Sequence, residues 1–463
     1  RSRPSDPVEA APDIAPPTSA PAAAAAAPAA PRNCKALPAN PRDWRVLGIE
    51  SSCDDTGAAV LNGYGRILGE AIASQSGIHA QWGGVVPKLA QEGHRQAIDA
   101  TVEEALSRAK VAAADLAAVS VTVGPGLGMC LEVGVRKAVQ IAAQHRLPLV
   151  RVHHMEAHTL VTRLPPAGAD AEAPPEPEPA FPFMTLLVSG GHNMAVLTRG
   201  IGDHTILGST IDDSIGEAFD KTARVLGITE VPGGPHLERL AKEGDASAHT
   251  LTKPLSKTRN VALQKGCDFS FSGLKTAVRT LFDKTVPAKE DPKGEESAER
   301  RAARADIAAA FQRVAVEHLC ERARRAAEWA LELEPTIQSL VVAGGVAANQ
   351  AVRQGVNEVA EGAGLALRCP PPRLCVDNGV MVAWAGVERL RLGLYEEPPS
   401  AARAEHFVEI RPRWPLGRRD SRSMQLETIQ AAKAPKGQKR KQQEGQDGGP
   451  AKKRAAEAAA PTD

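Results

Sequence analysis

The residues best suited to chemistry form a histidine-rich segment that contains His153, His154 and His158. On a helix, His154 and His158 share one face, where two neutral imidazoles can bind a divalent metal ion; the alternative is a pair of surface histidines. Glu156 lies about 200° around that helix from His154, which argues against the zinc-peptidase pattern H-E-x-x-H. A metal needs a further ligand. Asp377 is the candidate, and the other role for an Asp in that position is a helix cap.

Two glycine-rich turns each follow an apolar segment, at Leu187–His192 and at Val342–Asn349. Turns of this kind leave backbone N–H groups free to approach a phosphate or a ribose. Neither turn matches the Walker A or the G-x-G-x-x-G pattern, and a single glycine turn is ordinarily only a turn. Two of them in one α/β block favour a nucleotide ligand.

Carboxylates follow the first predicted strand and occur again on a later helix. Glu50, Asp54 and Asp55 come at the end of that strand, where carboxylates are able to hold a metal, a water or an attacking group. The alternative is a polar turn between two hairpin strands. Asp220 precedes another Gly-Gly pair, in Val231–Pro235, and this order indicates a contact to a ribose or hydroxyl, with a solvated helix ion pair as the alternative.

Two α/β blocks must position these residues. The first is predicted to contain strands at 45–50, 57–61, 66–73, 117–123 and 148–152 and helices at 87–110 and 131–145, before the histidine-rich helix. The second is predicted to contain strands at 183–189, 193–198 and 338–343 and helices at 213–227, 235–243, 272–283, 301–333, 347–360 and 377–393. This pattern predicts a two-lobed α/β fold with the ligand between the lobes.

Composition narrows the possible functions. The 463 residues include 56 Lys and Arg against 55 Asp and Glu, for a formal net charge of +1. This balance excludes a protein that coats nucleic acid with its whole surface but allows a local basic patch. With 3% aromatic residues, a stacking platform for single strands is not expected. The seven cysteines form no CxxC pair and indicate free thiols. The sequence contains no stretch of about 18 consecutive, strongly apolar residues, so a membrane span is not expected.

Taken together, these motifs resemble the TsaD family of tRNA N6-adenosine threonylcarbamoyltransferases, in collinear order over about residues 45–410. The segments that carry the resemblance are Gly48–Gly57, Val85–Ala90, His153–His158, Leu187–His192, Glu217–Thr222, Pro232–Pro235, Phe269–Lys275, Gly344–Asn349 and Asp377–Gly379. A later segment, Arg411–Gly417, is most similar to the animal mitochondrial members.

The resemblance implies an actin-like, sugar-kinase-like (ASKHA) fold with two lobes and a ligand in the cleft. It implies one divalent metal ion, zinc or iron, held by His154, His158 and Asp377. It also implies substrate contacts at Leu187, Val188, Ser189, Gly190, Gly191, Asp220, Gly234 and Asn349. The family performs acyl transfer, so a phosphoryl-transfer function inferred from the fold alone would be misleading.

The implied reaction moves the threonylcarbamoyl group of threonylcarbamoyl-AMP, made by a separate adenylate-forming enzyme, to a tRNA. The acceptor is N6 of the adenosine 3′ of the anticodon, in tRNAs that read codons beginning with A. Because an aryl amine is a weak nucleophile, we predict a carboxylate base, Glu50 or Asp54. Lys221 and Lys275 are candidate phosphate or tRNA contacts. An actin-fold ATPase or small-molecule kinase is the alternative function, followed by a metallopeptidase.

The predicted organisation is a disordered leader at 1–43, lobe I at 44–164 completed by a helix within about 377–410, an insertion at 165–180, lobe II at 181–376 and a disordered basic tail at 415–463. The Ala-rich leader and Arg411–Gly417 favour a mitochondrial location. Basic clusters at Lys439–Lys441 and Lys452–Arg454 resemble a bipartite nuclear signal, so a cytoplasmic or nuclear location is the alternative. The expected partners are tRNA and the donor, without a membrane, for a monomer or homodimer.

Overall fold

A computed structural model describes residues 34–80, 82, 84–166, 177–288, 296–404 and 409–423. The first lobe contains β1 (Val46–Glu50), β2 (Asp55–Leu61), β3 (Ile67–Ser74), α1 (Ser76–Ala80), α2 (Pro87–Ala109), β4 (Ala118–Gly124), α3 (Gly128–His145), β5 (Leu149–His153) and α4 (His154–Leu160).

The second lobe begins with three strands and ends with short elements. Its elements are β6 (Phe183–Val188), β7 (Asn193–Gly200), β8 (Asp203–Ser209), α5 (Ile215–Val225), α6 (Gly234–Ala241), α7 (Val261–Lys265), α8 (Ser272–Thr285), α9 (Ala298–Leu333), β9 (Ser339–Ala343), α10 (Gln350–Gly362) and β10 (Ala366–Arg368). The chain continues through α11 (Gly379–Arg391), α12 (Ala401–Ala404) and β11 (Arg418–Arg419). Among the described residues, none of these helices is long and apolar enough to cross a bilayer.

The two sheets repeat one topology. The first has the strand order β3-β2-β1-β4-β5, and the second has β8-β7-β6-β9-β10 with β11 added beside β8. In each sheet the central strand, β1 or β6, pairs antiparallel with the next strand and parallel with a later one. This duplication confirms the predicted two-lobed α/β fold of the ASKHA type. The carboxyl ends of the parallel strands in each sheet share one edge, where ligands of open α/β sheets bind.

Helix α11 packs on the first sheet through glycines. A Cβ on Gly48 of β1 would lie 2.2 Å from the backbone nitrogen of Ala383, and a Cβ on Gly379 would lie 2.4 Å from the carbonyl carbon of Ala58. On the other side of the sheet, α2 covers β2 and β3, and α3 covers β4, with aliphatic side chains. The first lobe is therefore completed by chain that follows the second lobe.

Residues 409–423, which we name the C-terminal strap, connect the lobes. The Arg411 N–H donates to the Val123 carbonyl at the end of β4 (2.7 Å). Farther along, Leu416 enters a small apolar cluster between the lobes, and the Arg419 guanidinium lies 2.5 Å from the Asp268 carboxylate in lobe II.

The described residues include short stretches on the outer side of both predicted low-complexity boundaries. At the start, residues 34–43 pack on lobe I, where Lys35 Nζ donates to the Ala114 carbonyl (2.9 Å) and Trp44 Nε1 donates to the Pro38 carbonyl (2.9 Å). At the end, the strap continues past residue 415 because β11 pairs with β8. The other parts of the leader and tail, and insertion residues 167–176, lie outside the described residues.

Candidate active site

The histidines that could hold a metal ion lie on α4, which follows β5 directly. His153 caps this helix: its Nδ1 accepts the N–H of Met155 (3.1 Å), and its Nε2 donates to the Trp414 carbonyl of the strap (3.0 Å). Burial lowers the pKa of His153 to about 4, so it is neutral at physiological pH. His153 therefore fixes the start of α4 and leaves the next histidines to face the cleft.

His154, His158 and Asp377 converge. Asp377 Oδ1 lies 3.0 Å from His158 Nε2 and 3.6 Å from His154 Nε2. The helix-cap role that the sequence left open for Asp377 belongs instead to Asn378, whose Oδ1 accepts the N–H of Met381 (2.9 Å). The Asp377 carboxylate is thus directed to the two imidazoles.

A buried carboxylate orients His154 from behind. Glu50 is fully buried at the end of β1, and its Oε2 lies 3.2 Å from His154 Nδ1. The same carboxylate accepts the Ser52 N–H (2.6 Å) and the Thr122 hydroxyl (2.6 Å). When His154 donates its Nδ1 proton to Glu50, the lone pair of Nε2 faces Asp377. This environment argues against the predicted role of Glu50 as a general base, because its oxygens are occupied and shielded from substrate.

The electrostatics of the cluster favour a cation. Burial acts to lower the pKa of His154, but the Asp377 and Glu50 carboxylates outweigh it and raise the pKa to about 9. Burial likewise acts to raise the pKa of Asp377, but the neighbouring His154 and His158 imidazoles hold it well below its usual range. The buried Glu50 carboxylate and the partly buried Asp377 carboxylate therefore stabilise positive charge at this point of the cleft.

The donor set fits the metal that the sequence predicts. His154, His158 and Asp377 each offer one ligand atom, and these atoms lie within 4.8 Å of one another. Nδ1 of His158 is buried and lacks a hydrogen-bond partner among the described residues. Two imidazoles and one carboxylate are a set that suits zinc or iron and leaves coordination positions open.

The first glycine turn, in lobe II, exposes its backbone to solvent. Leu187 and Val188 are buried in β6, whereas Gly190 and Gly191 are exposed. The turn is closed by the Ser189 N–H, which donates to the His192 carbonyl (2.9 Å). The Ser214 hydroxyl, at the start of α5, donates to the Gly190 carbonyl (2.5 Å) and fixes the turn against that helix. Neither exposed glycine has an atom within 4 Å of where a Cβ would stand, so open space lies before this backbone.

The second glycine turn lies beside the first because β6 and β9 are parallel neighbours. Gly344 has φ of +100°, and a Cβ there would lie 2.4 Å from the Val188 carbonyl oxygen. Asn349, which ends this turn, caps α10 through its Oδ1 and donates from Nδ2 to Gln312 (3.1 Å). Its side chain is therefore held in a fixed orientation.

Asp220 on α5 organises the third glycine segment. Its Oδ1 accepts the N–H groups of Gly233 (2.8 Å) and Gly234 (3.1 Å). Burial raises the pKa of Asp220 from its ordinary value. The sequence alone did not indicate that this carboxylate binds the glycine turn directly.

Helix α4, which carries His154 and His158, contacts the strands that lead into the glycine turns. Met155, between His154 and His158 on α4, belongs to one buried cluster with Leu187 of β6 and Ala343 of β9. Leu187 lies two residues before Ser189, and Ala343 directly precedes Gly344. The imidazoles of lobe I and the glycine backbone of lobe II thus approach one cleft.

Other predicted residues have different surroundings. Lys221 forms ion pairs with Asp213 (2.9 Å) and Glu217 (2.7 Å), so its charge is neutralised. Asp54 is half-buried in the turn after β1, and Lys275 lies in the first turn of α8 without a carboxylate partner among the described residues.

Glu156 points away from the metal face, as its helical position predicts. It accepts hydrogen bonds from His204 Nε2 (2.9 Å) and Arg389 (2.8 Å). This buried arrangement leaves no carboxylate in the position that a zinc peptidase requires.

Sequence reasoning missed Ser52, Thr122 and Asp212. Ser52 and Thr122 hold Glu50, and Asp212 accepts hydrogen bonds from the Ser270 hydroxyl (2.6 Å) and the Phe271 N–H (2.9 Å). The available signal was position: Ser52 follows β1, Thr122 lies near the end of the neighbouring β4, and Asp212 follows β8.

Fold and site together define an ASKHA-type enzyme with a metal-suited His–His–Asp cluster facing glycine turns. A family model described as TsaD, tRNA N6-adenosine threonylcarbamoyltransferase, matches residues 66–384. The chain belongs to this family.

Relatives from three organisms agree with the family assignment. A probable mitochondrial tRNA N6-adenosine threonylcarbamoyltransferase of Arabidopsis thaliana is 51% identical over 393 residues, covering 83% of this chain and 78% of that protein. The Gluconobacter oxydans enzyme is 45% identical, covering 84% and 97%. The mitochondrial enzyme of Mus musculus is 40% identical, covering 80% and 86%. Among solved structures, full-length HypF has a TM-score of 0.42 at 13% identity, covering 77% of this chain and 47% of that one, so the fold assignment rests on the sheet topology.

Proposed function

We propose that this chain transfers the threonylcarbamoyl group from threonylcarbamoyl-AMP to N6 of the adenosine 3′ of the anticodon, in mitochondrial tRNAs that read codons beginning with A. The observation that carries the proposal is the approach of His154, His158 and Asp377 to the strand ends that bear the two glycine turns. Mitochondrial relatives in a plant and a mouse support the location.

The glycine turns are suited to the adenylate part of the donor. The exposed backbone at Gly190 and Gly191 can approach phosphate oxygens without a side-chain clash. Asp220, Gly234 and Asn349 border the same block and are assigned to the ribose and adenine. In this assignment Leu187 and Val188 contribute backbone only, since both side chains are buried.

His154, His158 and Asp377 are assigned to one divalent metal ion. Bound there, the metal would supply positive charge for the oxygens of the mixed anhydride. Glu50 acts as a positioning residue that holds the Nδ1 proton of His154 and leaves Nε2 as the ligand atom.

In the transfer step the N6 nitrogen forms a bond to the carbamoyl carbon. The bond from that carbon to the phosphate oxygen breaks, and AMP leaves with the electron pair. The proton lost by N6 goes to a base, for which Asp54 is the remaining candidate of the two carboxylates predicted. Asp54 is half-buried after β1, so a substrate can reach it, unlike Glu50.

A reconstituted modification assay tests this function. The chain is incubated with unmodified tRNA, ATP, threonine, bicarbonate and an adenylate-forming enzyme that is known to be active, and nucleosides are analysed by mass spectrometry. We expect threonylcarbamoyladenosine in the complete reaction and none when either enzyme is omitted. Absence of the nucleoside with an active donor-forming enzyme would overturn the proposal. ATP consumption without it would instead favour the ATPase or kinase alternative.

A further inference from the structure

One surface segment of lobe II is much more basic than the chain as a whole. Between Asp245 and Asp268 the sequence contains no acidic residue, but it contains Lys253, Lys257, Arg259 and Lys265. The formal net charge of the entire chain is only +1. Positive charge is therefore concentrated in a segment that includes α7.

Three of these cations are exposed and unpaired. Lys257, Arg259 and Lys265 are solvent-exposed, and within the described ranges none of them has a hydrogen-bonded or ion-paired carboxylate. We name these three residues the basic ridge. Lys253 differs, because it forms an ion pair with Glu321.

The fold holds the basic ridge in place. Asn260 caps α7 by accepting the N–H of Leu263 (3.2 Å), and the side chain of Gln264 donates to the Ser256 carbonyl (3.3 Å). Below the helix, the buried guanidinium of Arg322 donates to the carbonyls of Leu263 (3.0 Å) and Gly266 (2.6 Å). The ridge therefore presents its charges from a braced loop.

Nearby carboxylates are already neutralised. Asp268 forms an ion pair with Arg419 of the strap, and Glu321 contacts both Lys253 and Arg325. These pairings leave the ridge with uncompensated positive charge.

The ridge connects to the candidate active site through consecutive contacts. After α7 the chain reaches Phe269, whose N–H donates to the Ser209 carbonyl (3.1 Å) at the end of β8. Asp212 then holds Ser270, and Ser214, two residues after Asp212, donates to Gly190 of the first glycine turn. The segment that carries the basic ridge is thus connected to the same edge of lobe II from which the first glycine turn extends.

We propose that the basic ridge binds backbone phosphates of the tRNA whose adenosine enters the site, a proposal that rests on the proposed function. Lysine and arginine on a fixed loop provide sequence-independent phosphate contacts. The segment from Ala246 to Cys267 contains no aromatic residue, so base stacking is not its mode of binding. The ridge therefore positions the tRNA and does not read its sequence.

The test compares two triple variants of the full chain. Lys257→Gln/Arg259→Gln/Lys265→Gln removes the ridge, and Lys88→Gln/Arg95→Gln/Arg324→Gln removes three other exposed, unpaired cations. Binding of unmodified tRNA is measured as a function of salt. We expect the ridge variant to lower the slope of log affinity against log salt by about 2 to 3, since each phosphate contact contributes roughly 0.7 to 0.9. The control variant should retain the wild-type slope.

Steady-state kinetics of the transfer reaction distinguish a failure of this proposal from a failure of the proposed function. The ridge variant should raise KM for tRNA by about 10-fold or more, with KM for threonylcarbamoyl-AMP and the melting temperature unchanged. The proposal would be overturned if the ridge variant kept the wild-type salt slope and the wild-type KM for tRNA. It would also be overturned if the control variant lost as much tRNA affinity as the ridge variant. If the wild-type chain forms no product, the proposed function fails, and the binding measurement still decides whether the ridge holds tRNA.

Discussion

The two lobes share one sheet topology but offer different chemistry at corresponding places. At the β1–β2 connection, Glu50 ends β1, Asp54 lies in the turn and Asp55 begins β2, whereas the turn between β6 and β7 contains Gly190 and Gly191. Lobe I adds the imidazoles of α4, and lobe II adds a second glycine turn after β9. Lobe I thus presents side chains that are suited to a cation, and lobe II presents backbone that is suited to an anion.

This difference suits the acyl phosphate that we propose as the donor. A mixed anhydride combines a phosphate, which peptide N–H groups bind well, with a carbonyl whose developing charge requires a cation. Placing the two functions on separate lobes lets each be built on its own sheet. The comparison predicts that substitutions in lobe I change metal binding and rate, whereas substitutions at the glycines of lobe II change donor affinity.

The largest effect is expected from removal of a metal ligand in lobe I. His158→Ala deletes an imidazole that lies 3.0 Å from Asp377, so it should abolish stoichiometric metal binding and lower the transfer rate by roughly 10²- to 10³-fold or more. Metal content by elemental analysis and nucleoside formation measure the two effects. His145→Ala, at the end of α3, is the control, and full metal content in His158→Ala would contradict the ligand assignment.

A smaller effect should follow from loss of the negative charge behind His154. Glu50→Gln preserves size but weakens the hydrogen bond that orients the imidazole, so metal affinity should fall by about 10- to 100-fold. Metal titration of the transfer rate measures this. Excess metal should restore the rate if Glu50 positions His154, whereas a rate that stays low at saturating metal would restore Glu50 as the base.

At the first glycine turn of lobe II, Gly191→Ala should leave the fold intact, because no atom lies within 4 Å of the new Cβ. The methyl group would occupy the space proposed for the donor phosphate, and KM for threonylcarbamoyl-AMP should rise by about 10-fold. Steady-state kinetics and a melting curve test this, with Gly362→Ala as the control.

Gly344→Ala gives the contrasting result at the second turn. Its φ of +100° and the 2.4 Å approach to Val188 predict a loss of roughly 1 to 3 kcal/mol in the free energy of unfolding. If Gly191→Ala left the KM for threonylcarbamoyl-AMP unchanged, the assignment of the donor phosphate to the glycine backbone of lobe II would be contradicted.

The smallest effect concerns the pH dependence of stability. Burial, aided by the charges of Asp54 and Asp377, raises the pKa of Asp55 to about 6. The folded state therefore holds this proton more tightly than the unfolded state, and the Asp55 contribution to stability falls as pH rises from about 4 to 6. Because Asp55 is only half-buried, Asp55→Asn should stabilise the protein by about 1 to 2 kcal/mol at pH 7.5 and by little at pH 4. Denaturant unfolding at both pH values measures this, and an equal effect at each would contradict it.

The sequence predicted elements whose signals are local. Helix α2 begins at Pro87, in the first-turn position that favours proline, and its apolar spacing continues to the end of the helix. The convergence of three metal-suited residues was also predictable, because helical spacing pairs His154 with His158 and Asp377 was the candidate third ligand that the family resemblance then implied. Both kinds of prediction use information carried by a short stretch of chain or by a recognisable motif.

Features that depend on tertiary partners were not predictable in this way. Strand β11 consists of Arg418 and Arg419, and it is a strand only because β8 offers an unpaired edge. Glu50 is held behind His154 by Thr122 and Ser52, and no spacing rule connects Glu50 to an imidazole that lies 104 residues farther along the chain. Such contacts are fixed by the assembled sheet.

The late position of α11 in the chain has a consequence for biosynthesis. This helix fills the glycine-lined face of β1 and β2, yet it is made after every strand of the main sheets except the two-residue β11. A nascent chain, or one entering a compartment from its amino terminus, therefore carries its first sheet half-covered until almost all of the enzyme has emerged. During that interval an apolar face of the first sheet stays uncovered, and Asp377, which lies just before α11, joins His154 and His158 only at this late stage.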